Sequence, residues 1–203
     1  MTSLDRLLNH LKIQGVLNNP SIENAFSVVD RADFVLPDQA GSAYEDNPLP
    51  IGFSQTISQP YTVAIMLDLL DLQPGQSVLD IGSGSGWTTA LLAKLTGSEG
   101  RVLGLERHPE LVDFGSRNLK GYSFPWAHIR CASMALGDPY RTYDRILVSA
   151  SATHFPVELV EQMNPLGILV LPIGHSIWKI TRCDEGLVKE ELYGFSFVPL
   201  ISD

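Results

Sequence analysis

A glycine-rich loop is the first feature of the sequence whose residue types suggest chemistry. It contains Asp80, Gly82, Ser83, Gly84 and Gly86, and it lies between an apolar stretch and a helix-like one. Glycines in a strand-to-helix turn let the backbone approach a ligand closely at the carboxyl end of a sheet. Because a tight turn without a ligand can show the same pattern, the loop predicts a binding site only together with other residues.

Two residues beside the loop narrow the choice of ligand. Trp87 stands where a dinucleotide fingerprint would have its third glycine, and its bulk disfavours packing against a pyrophosphate. Glu106 follows Gly82 by 24 residues (106 − 82 = 24), where a carboxylate can accept hydrogen bonds from both hydroxyls of a ribose. A solvated strand-end carboxylate is the alternative for Glu106. S-Adenosylmethionine has a ribose and no pyrophosphate, so we expect it as the cofactor.

Missing motifs argue against two classes of methyl acceptor. An amino-group acceptor would be expected with an Asn/Asp-Pro-Pro-aromatic turn after the fourth strand, but residues 148–156 contain no such turn. A cytosine acceptor requires a nucleophilic cysteine, usually after proline, whereas Cys131 and Cys183 each follow an arginine. The two cysteines also match no zinc-binding spacing, so no metal site is predicted.

Composition limits the partners and the size of the fold. The chain has 203 residues, of which 44% are hydrophobic, and this suits one domain with a real core. Its 23 acidic and 14 basic residues give a formal net charge of −9, which argues against a nucleic-acid partner. There is no apolar run of about 18 residues and no signal-peptide pattern. The sequence therefore predicts no membrane span and a cytoplasmic location.

The elements that must position the loop alternate between strands and helices. Strands are expected at 78–81, 102–105, 146–148 and 168–171, and helices at 88–95, 109–119 and 156–163. Continuous apolar strands that alternate with helices indicate a parallel sheet covered on both faces. Residues 177–201 are strand-like and are expected to form an antiparallel pair at the sheet edge. The fold class is therefore α/β: a Rossmann-like, mostly parallel, doubly wound sheet.

The first part of the chain has a different pattern. A capping box at Thr2 and Asp5 predicts a first helix that ends near Gly15, and a second helix begins at Asn19 and runs to about Val29. Residues 30–57 are expected to be irregular. Ser58 is expected to be the N-cap of a buried helix. We thus expect a single domain over residues 1–203, with a helical and irregular lead-in at 1–57 and the Rossmann-like core at 58–203.

Several stretches together resemble one family. The most specific lies within residues 55–60, before the buried helix, and consists of Thr56, Ile57, Ser58 and Pro60. The others are the glycine loop and residues 31–35, 43–52, 143–144, 171–174 and 197–200. Along nearly its whole length the chain resembles the protein-L-isoaspartate (D-aspartate) O-methyltransferases.

The resemblance implies a reaction. The enzymes of this family transfer a methyl group from S-adenosyl-L-methionine to the free carboxylate of L-isoaspartyl or D-aspartyl residues in damaged proteins, which initiates repair. Ser58 would lie between donor and acceptor, and the free N–H groups of its helix suit an anion. Gln55, Thr56 and Ile57 would belong to the cofactor site. An ionised carboxylate needs no general base, so His154 is interpreted as a loop histidine.

The departures from the family pattern lie mostly at one end of this site. Ala132 and Ser133 replace an Asp-Gly pair whose acid accepts a hydrogen bond from the adenine amino group. Both positions are therefore assigned to the adenine end of the cofactor site. Ser54 and Leu166 stand where family members carry glycine. Two alternatives remain open: methylation of a normal aspartate in a dedicated partner, and a non-catalytic binding relative.

Overall fold

Two amphipathic helices begin the chain, as the sequence predicts. The computed structural model describes residues 2–200. Helix α1 spans Ser3–Ile13 and is closed at its start by the capping box of Thr2 and Asp5. Helix α2 spans Pro20–Val28, with Asn19 as its N-cap. Both helices bury one apolar face in the core that also covers the sheet.

The following segment is more regular than the sequence predicts. It forms two short 3₁₀ helices, Arg31–Phe34 and Pro37–Ser42, and then an antiparallel hairpin of β1 (Leu49–Gly52) and β2 (Gln55–Ile57). The prediction of an irregular lead-in is therefore wrong over these residues. The hairpin turn is made by Phe53 and Ser54, both with left-handed backbone angles (φ 54° and 58°), and neither residue type marks such a turn.

A sheet of seven strands forms the centre of the molecule. Its strands are β3 (Ser77–Ile81), β4 (Arg101–Glu106), β5 (Ala127–Cys131), β6 (Tyr143–Val148), β7 (Met163–Ile173), β8 (Ser176–Cys183) and β9 (Gly186–Tyr193). The order is β5-β4-β3-β6-β7-β8-β9, parallel through β7 and antiparallel thereafter. This confirms the mostly parallel sheet and the terminal antiparallel pair. Ile201, the last residue of the predicted strand-like stretch, lies outside the described residues.

One strand was missed because it lies at the sheet edge. Residues His128, Arg130 and Cys131 of β5 are exposed, so the strand shows no continuous apolar run. Edge strands often carry polar and charged side chains because they face water on one side.

Four helices pack on the two faces of the sheet. They are α3 (Pro60–Leu70), α4 (Trp87–Thr96), α5 (Pro109–Leu119) and α6 (Val157–Glu161). The predicted helix at 156–163 is too long, because Met163 already begins β7. Helix α6 ends at its C-cap, Gln162. The Gln162 side chain accepts a hydrogen bond from the Asp138 N–H (2.7 Å) and donates one to the Leu136 carbonyl (2.9 Å). Among the described residues no helix is long and apolar enough to cross a membrane.

The strand order creates a crevice above β3. From β3 the chain moves outward through β4 to β5 and then returns to β6, on the other side of β3. Ligands of open α/β sheets bind at such a switch point, outside the carboxyl ends of the strands. The glycine loop follows β3, so the topology places it at this point.

Candidate active site

A continuous cleft lies at the carboxyl ends of β3, β4 and β6. It consists of an inner cavity, which contacts Ser58, and an outer cavity, which contacts Ala132. The two cavities share the residues Gln55, Gly82, Glu106 and Ala150. Because these residues face both spaces, one elongated ligand can occupy the two cavities together.

Most residues singled out in the sequence line this cleft. The inner cavity is lined by Gln55, Thr56, Ile57, Ser58, Gly82, Ser83, Gly84 and Glu106, among others. The outer cavity is lined by Ala132 and Ser133, together with the shared residues. Asp80 and Gly86 lie behind the lining. The structure thus brings together three segments that are far apart in the sequence.

Backbone contacts hold the glycine loop against β4. The N–H groups of Gly82 and Ser83 donate to the Leu105 carbonyl at 2.8 and 3.1 Å. Gly86 has φ 90°, and a Cβ atom there would lie 3.0 Å from the carbonyl oxygen of Gly115 in α5. Gly86 is therefore needed for the close approach of α4 to α5, behind the cleft.

Glu106 is buried and held in one orientation. Its side chain is 6% exposed, which excludes the alternative of a solvated carboxylate. One carboxylate oxygen accepts the Gly84 N–H at 3.0 Å, and the other accepts the N–H groups of Arg107 and His108 at 2.8 and 3.0 Å. A carboxylate oxygen has more than one lone pair, so Glu106 keeps acceptor capacity toward the cleft.

Asp80 supplies a second carboxylate behind the loop. It is completely buried, and one of its oxygens accepts the hydroxyl groups of Thr88 and Thr89 at 2.9 and 2.6 Å. Burial raises the pKa of Asp80 from 3.8 to about 6, although the two threonine hydroxyls act to lower it, and the charge of Glu106 raises it further. Negative charge is thus concentrated on the loop side of the cleft.

Three buried polar atoms around the loop have no hydrogen-bond partner. They are Asp80 Oδ1, Ser83 Oγ and Trp87 Nε1, and the last two belong to residues that line the inner cavity. A buried polar group without a partner costs about 1–3 kcal/mol, and its presence in a native structure calls for an explanation. A polar ligand in the inner cavity would supply one, so the residues present fit the donor predicted from the sequence.

Ser58 lies in the inner cavity but does not cap α3, so its predicted role as N-cap is wrong. The N-cap is Gln59, and the exposed N–H of Tyr61 donates instead to Asp46 Oδ1 at 2.8 Å. The predicted anion site therefore already has a carboxylate at one of its N–H groups. The Ser58 carbonyl accepts from Arg31 Nη2 at 3.1 Å, which holds Ser58 ahead of the helix.

Another part of the cavity wall includes Ala150 and Val198, which the sequence did not assign to the site, next to the corner at 148–149, where the sequence does predict the ligand. Ser149 and Ala150 follow β6, and Val198 lies beside them because Ser151 donates its N–H to the Val198 carbonyl at 2.7 Å. Pro199 and Leu200 continue into the outer cavity. For residues 198–200 the only available signal was the family-like stretch at 197–200, since contacts of a terminal segment with the sheet leave no periodic pattern.

The outer cavity is mostly apolar. Leu105, Ala132, Leu136 and Leu200 line it, and among the described lining residues Glu106 is the only carboxylate. The Ser133 hydroxyl donates to the Ala135 carbonyl at 3.3 Å. His154 lines neither cavity; it contacts the Thr153 hydroxyl instead. No group of three or more potential metal ligands occurs within residues 2–200.

Comparison with known proteins finds a matching family model and similar relatives. The family model described as "Protein-L-isoaspartate(D-aspartate) O-methyltransferase (PCMT)" matches residues 2–203. A protein-L-isoaspartate O-methyltransferase of Methanopyrus kandleri is 40% identical over 210 residues, covering 98% of this chain and 91% of the relative. One of Thermococcus onnurineus is 42% identical over 202 residues, covering 95% and 90%.

A solved structure extends the similarity to three dimensions. A Plasmodium falciparum chain described as a protein-L-isoaspartate O-methyltransferase has a TM-score of 0.86 and 27% sequence identity to this chain. The match covers 100% of both chains, and that crystal structure is a complex with S-adenosyl-L-homocysteine.

Proposed function

The chain belongs to the protein-L-isoaspartate(D-aspartate) O-methyltransferase family, and we propose that it methylates the free carboxylate of L-isoaspartyl or D-aspartyl residues in damaged proteins. The methyl donor is S-adenosyl-L-methionine. Methylation of this carboxylate initiates repair, and the partners are proteins or peptides that carry the damaged residue.

The observation that supports this function best is the joined cleft. A donor with a nucleoside at one end and a charged sulfur at the other requires an elongated site, and the two cavities together provide one. Glu106 lines both cavities and is held by backbone N–H groups, so we assign it to accept the ribose hydroxyls. The outer cavity, with Ala132 and Ser133, would then hold the adenine, and the inner cavity would hold the methionine part.

The negative side of the cleft suits a cationic donor. S-Adenosylmethionine supplies a methyl group on a positively charged sulfur. Asp80 and Glu106 both lie on the loop side, and Gln55, Thr56 and Ile57 close the inner cavity from the hairpin side. We assign these residues, with the loop residues Gly82, Ser83, Gly84 and Gly86, to binding and shaping the donor site.

Ser58 is assigned to the acceptor. The acceptor carboxylate has an ordinary pKa near 4, so it is ionised at neutral pH and needs no base. An anion and a cation neutralise each other during the transfer, so a dry site and correct alignment favour the reaction. The Ser58 hydroxyl can donate one hydrogen bond to the carboxylate and fix its direction, without removing a proton.

A paired peptide assay tests this function. Two synthetic peptides of one sequence, one with an isoaspartyl residue and one with a normal aspartate, are incubated with radiolabelled donor. We expect labelled methyl ester on the isoaspartyl peptide only. Label on the aspartyl twin alone would favour a dedicated normal-aspartate acceptor, and label on neither, without S-adenosylhomocysteine binding, would favour a non-catalytic relative.

A Ser58→Ala variant tests the assignment of the acceptor side. We expect slower methylation of the isoaspartyl peptide, with the dissociation constant for S-adenosylhomocysteine within about twofold of the wild type. Equal loss of cofactor affinity and turnover would move Ser58 to the donor side.

A further inference from the structure

Among the described residues Arg31 has the largest fully buried side chain, and it contacts the site through the Ser58 carbonyl. It is 1% exposed and begins the family-like stretch Arg-Ala-Asp-Phe-Val. Burial lowers the pKa of Arg31 to about 10, and the charge of Asp46 partly offsets this. A buried guanidinium is costly unless its donors are satisfied, so its contacts indicate what it is for.

The guanidinium bonds to backbone carbonyls from two segments. Nη1 donates to Ala43 at 2.8 Å and to Glu45 at 3.2 Å, and Nη2 donates to Asn47 at 2.8 Å and to Ser58 at 3.1 Å. Nε has no partner, and no carboxylate accepts from Arg31 in the described hydrogen bonds. Arg31 therefore binds both the loop before the hairpin (residues 43–47) and Ser58, which follows the hairpin.

The same cation contacts the donor side. The Cζ atom of Arg31 lies 5.3 Å from the centroid of the Trp87 ring, within the range of a cation–π contact. Trp87 begins α4 directly after the glycine loop and lines the inner cavity. Arg31 thus lies between the segment that carries Ser58 and the segment that follows the loop.

Asp46 completes the arrangement. It lies between Glu45 and Asn47, whose carbonyls Arg31 holds, and its carboxylate accepts the Tyr61 N–H at 2.8 Å and the Gln59 amide at 3.3 Å. Ser58 is therefore fixed twice: its own carbonyl is bound to Arg31, and the helix that follows is held by Asp46.

We infer that Arg31 is a positioning residue that aligns the acceptor carboxylate at Ser58 with the donor loop at Trp87, an inference that rests on the proposed function. Arg31 does not bind the substrate, because its Nη donors are engaged by carbonyls. This separation suits the reaction: a cation in direct contact would stabilise the carboxylate more before transfer than during it, and only interactions that strengthen in the transition state accelerate a reaction.

Arg31→Lys is the test, and Arg145→Lys is its matched control. Arg145 is also buried and also bonds to carbonyls, those of Asp71 and Asp144, but neither of these residues lines a cavity, whereas Ser58 does. A lysine keeps the charge in both variants and cannot span several carbonyls in fixed geometry. All measurements use a temperature at which both variants are folded by circular dichroism.

Arg31→Lys should lower kcat for the isoaspartyl peptide about tenfold or more, since small misalignment slows transfer strongly. The dissociation constant for S-adenosylhomocysteine should stay within about threefold of wild type, and Arg145→Lys should leave kcat within about twofold. A kcat for Arg31→Lys equal to that of Arg145→Lys would overturn the inference. A wild type that methylates no isoaspartyl peptide would instead overturn the proposed function.

Amide hydrogen exchange measures how firmly the segment around Ser58 is held, and it requires no methyl transfer. Arg31→Lys should speed exchange in residues 55–62 and leave residues 77–82 unchanged, whereas unchanged exchange at 55–62 would contradict the inference. If Arg31→Lys does not fold, Asp46→Asn tests the same link, because it weakens the second hold on Ser58. We expect it to lower kcat at unchanged cofactor affinity, and an unchanged kcat would overturn the inference.

Discussion

The inner and outer cavities of the cleft are built in different ways. Around the inner cavity the glycine loop, Glu106 and Ser58 are each held by hydrogen bonds from neighbouring elements. Around the outer cavity an exposed loop supplies mainly apolar groups, and Met134 is 80% exposed. We therefore expect methyl transfer in the inner cavity, where the backbone is fixed. The nucleoside base is expected to be held by shape and apolar contact rather than by a dedicated carboxylate.

Removing Glu106 should have the largest effect, because it connects the two cavities. Glu106→Ala should weaken S-adenosylhomocysteine binding by roughly 2–4 kcal/mol, from the loss of charged hydrogen bonds to two ribose hydroxyls. Calorimetry measures this, with the α5 residue Glu110→Ala as the control for a lost negative charge. An unchanged affinity would remove Glu106 from the cofactor site.

Adding a carboxylate to the outer cavity should give this mostly apolar cavity a polar contact with the cofactor, as the inner cavity already has. Ala132→Asp should tighten S-adenosylhomocysteine binding by ~1–3 kcal/mol, five- to a hundredfold, because the new carboxylate can accept from the adenine amino group. Ser123→Asp, at an exposed residue that lines neither cavity, controls for the added charge. If both variants bind like the wild type, the adenine does not lie beside residue 132.

Neutralising Asp80 should stabilise the ligand-free protein. The folded state binds the Asp80 proton more tightly than the unfolded chain does, so this group lowers the free energy of unfolding as pH rises from about 4 to 6. Asp80→Asn should raise the free energy of unfolding by ~1–2 kcal/mol above pH 6 and by less near pH 4. Urea titrations at both pH values measure this, and cofactor affinity should fall.

Asp144→Asn is the control, and we expect it to change the free energy of unfolding in the opposite direction. Burial alone would raise the pKa of Asp144, but hydrogen bonds from Ser77 and Asn164 outweigh it, and the pKa is lowered. Ionised Asp144 therefore stabilises the folded state at neutral pH, and its loss should destabilise. A gain in both variants would show that net charge, and not burial at the loop, sets the effect.

Relieving the backbone strain at the hairpin turn should change the free energy of unfolding least among these variants. Ser54 has φ 58°, a conformation that costs a residue with a Cβ atom about 1–2 kcal/mol, whereas glycine adopts it freely but loses more entropy on folding. Ser54→Gly should therefore raise the free energy of unfolding by roughly 0.5 kcal/mol. Ser123→Gly, at a residue without left-handed angles, should lower it, and the same urea titration compares them.

The features that the sequence predicts are those fixed by local backbone geometry or burial, and the features that it does not predict depend on contacts between distant residues. The glycine loop, Glu106 and the parallel strands are readable because their residue types reflect local backbone needs or burial. The cap of α3 is not, because Asp46 reaches Tyr61 across 15 residues and Arg31 reaches Ser58 across 27. Strand β5 is not predictable either, because its exposed side chains form no continuous apolar run. Local geometry leaves a pattern in the sequence, and long-range hydrogen bonds do not.

Competition between two residues of one peptide is the sharpest test of the proposed methyl acceptor. A peptide that contains one isoaspartyl and one normal aspartyl residue is incubated with the protein and labelled S-adenosylmethionine, and fragmentation by mass spectrometry locates the methyl group. We expect one methyl group, on the isoaspartyl α-carboxylate, with one S-adenosylhomocysteine released for each ester formed. Methyl on the normal aspartate, or no methyl at a donor concentration that saturates binding, would contradict this expectation.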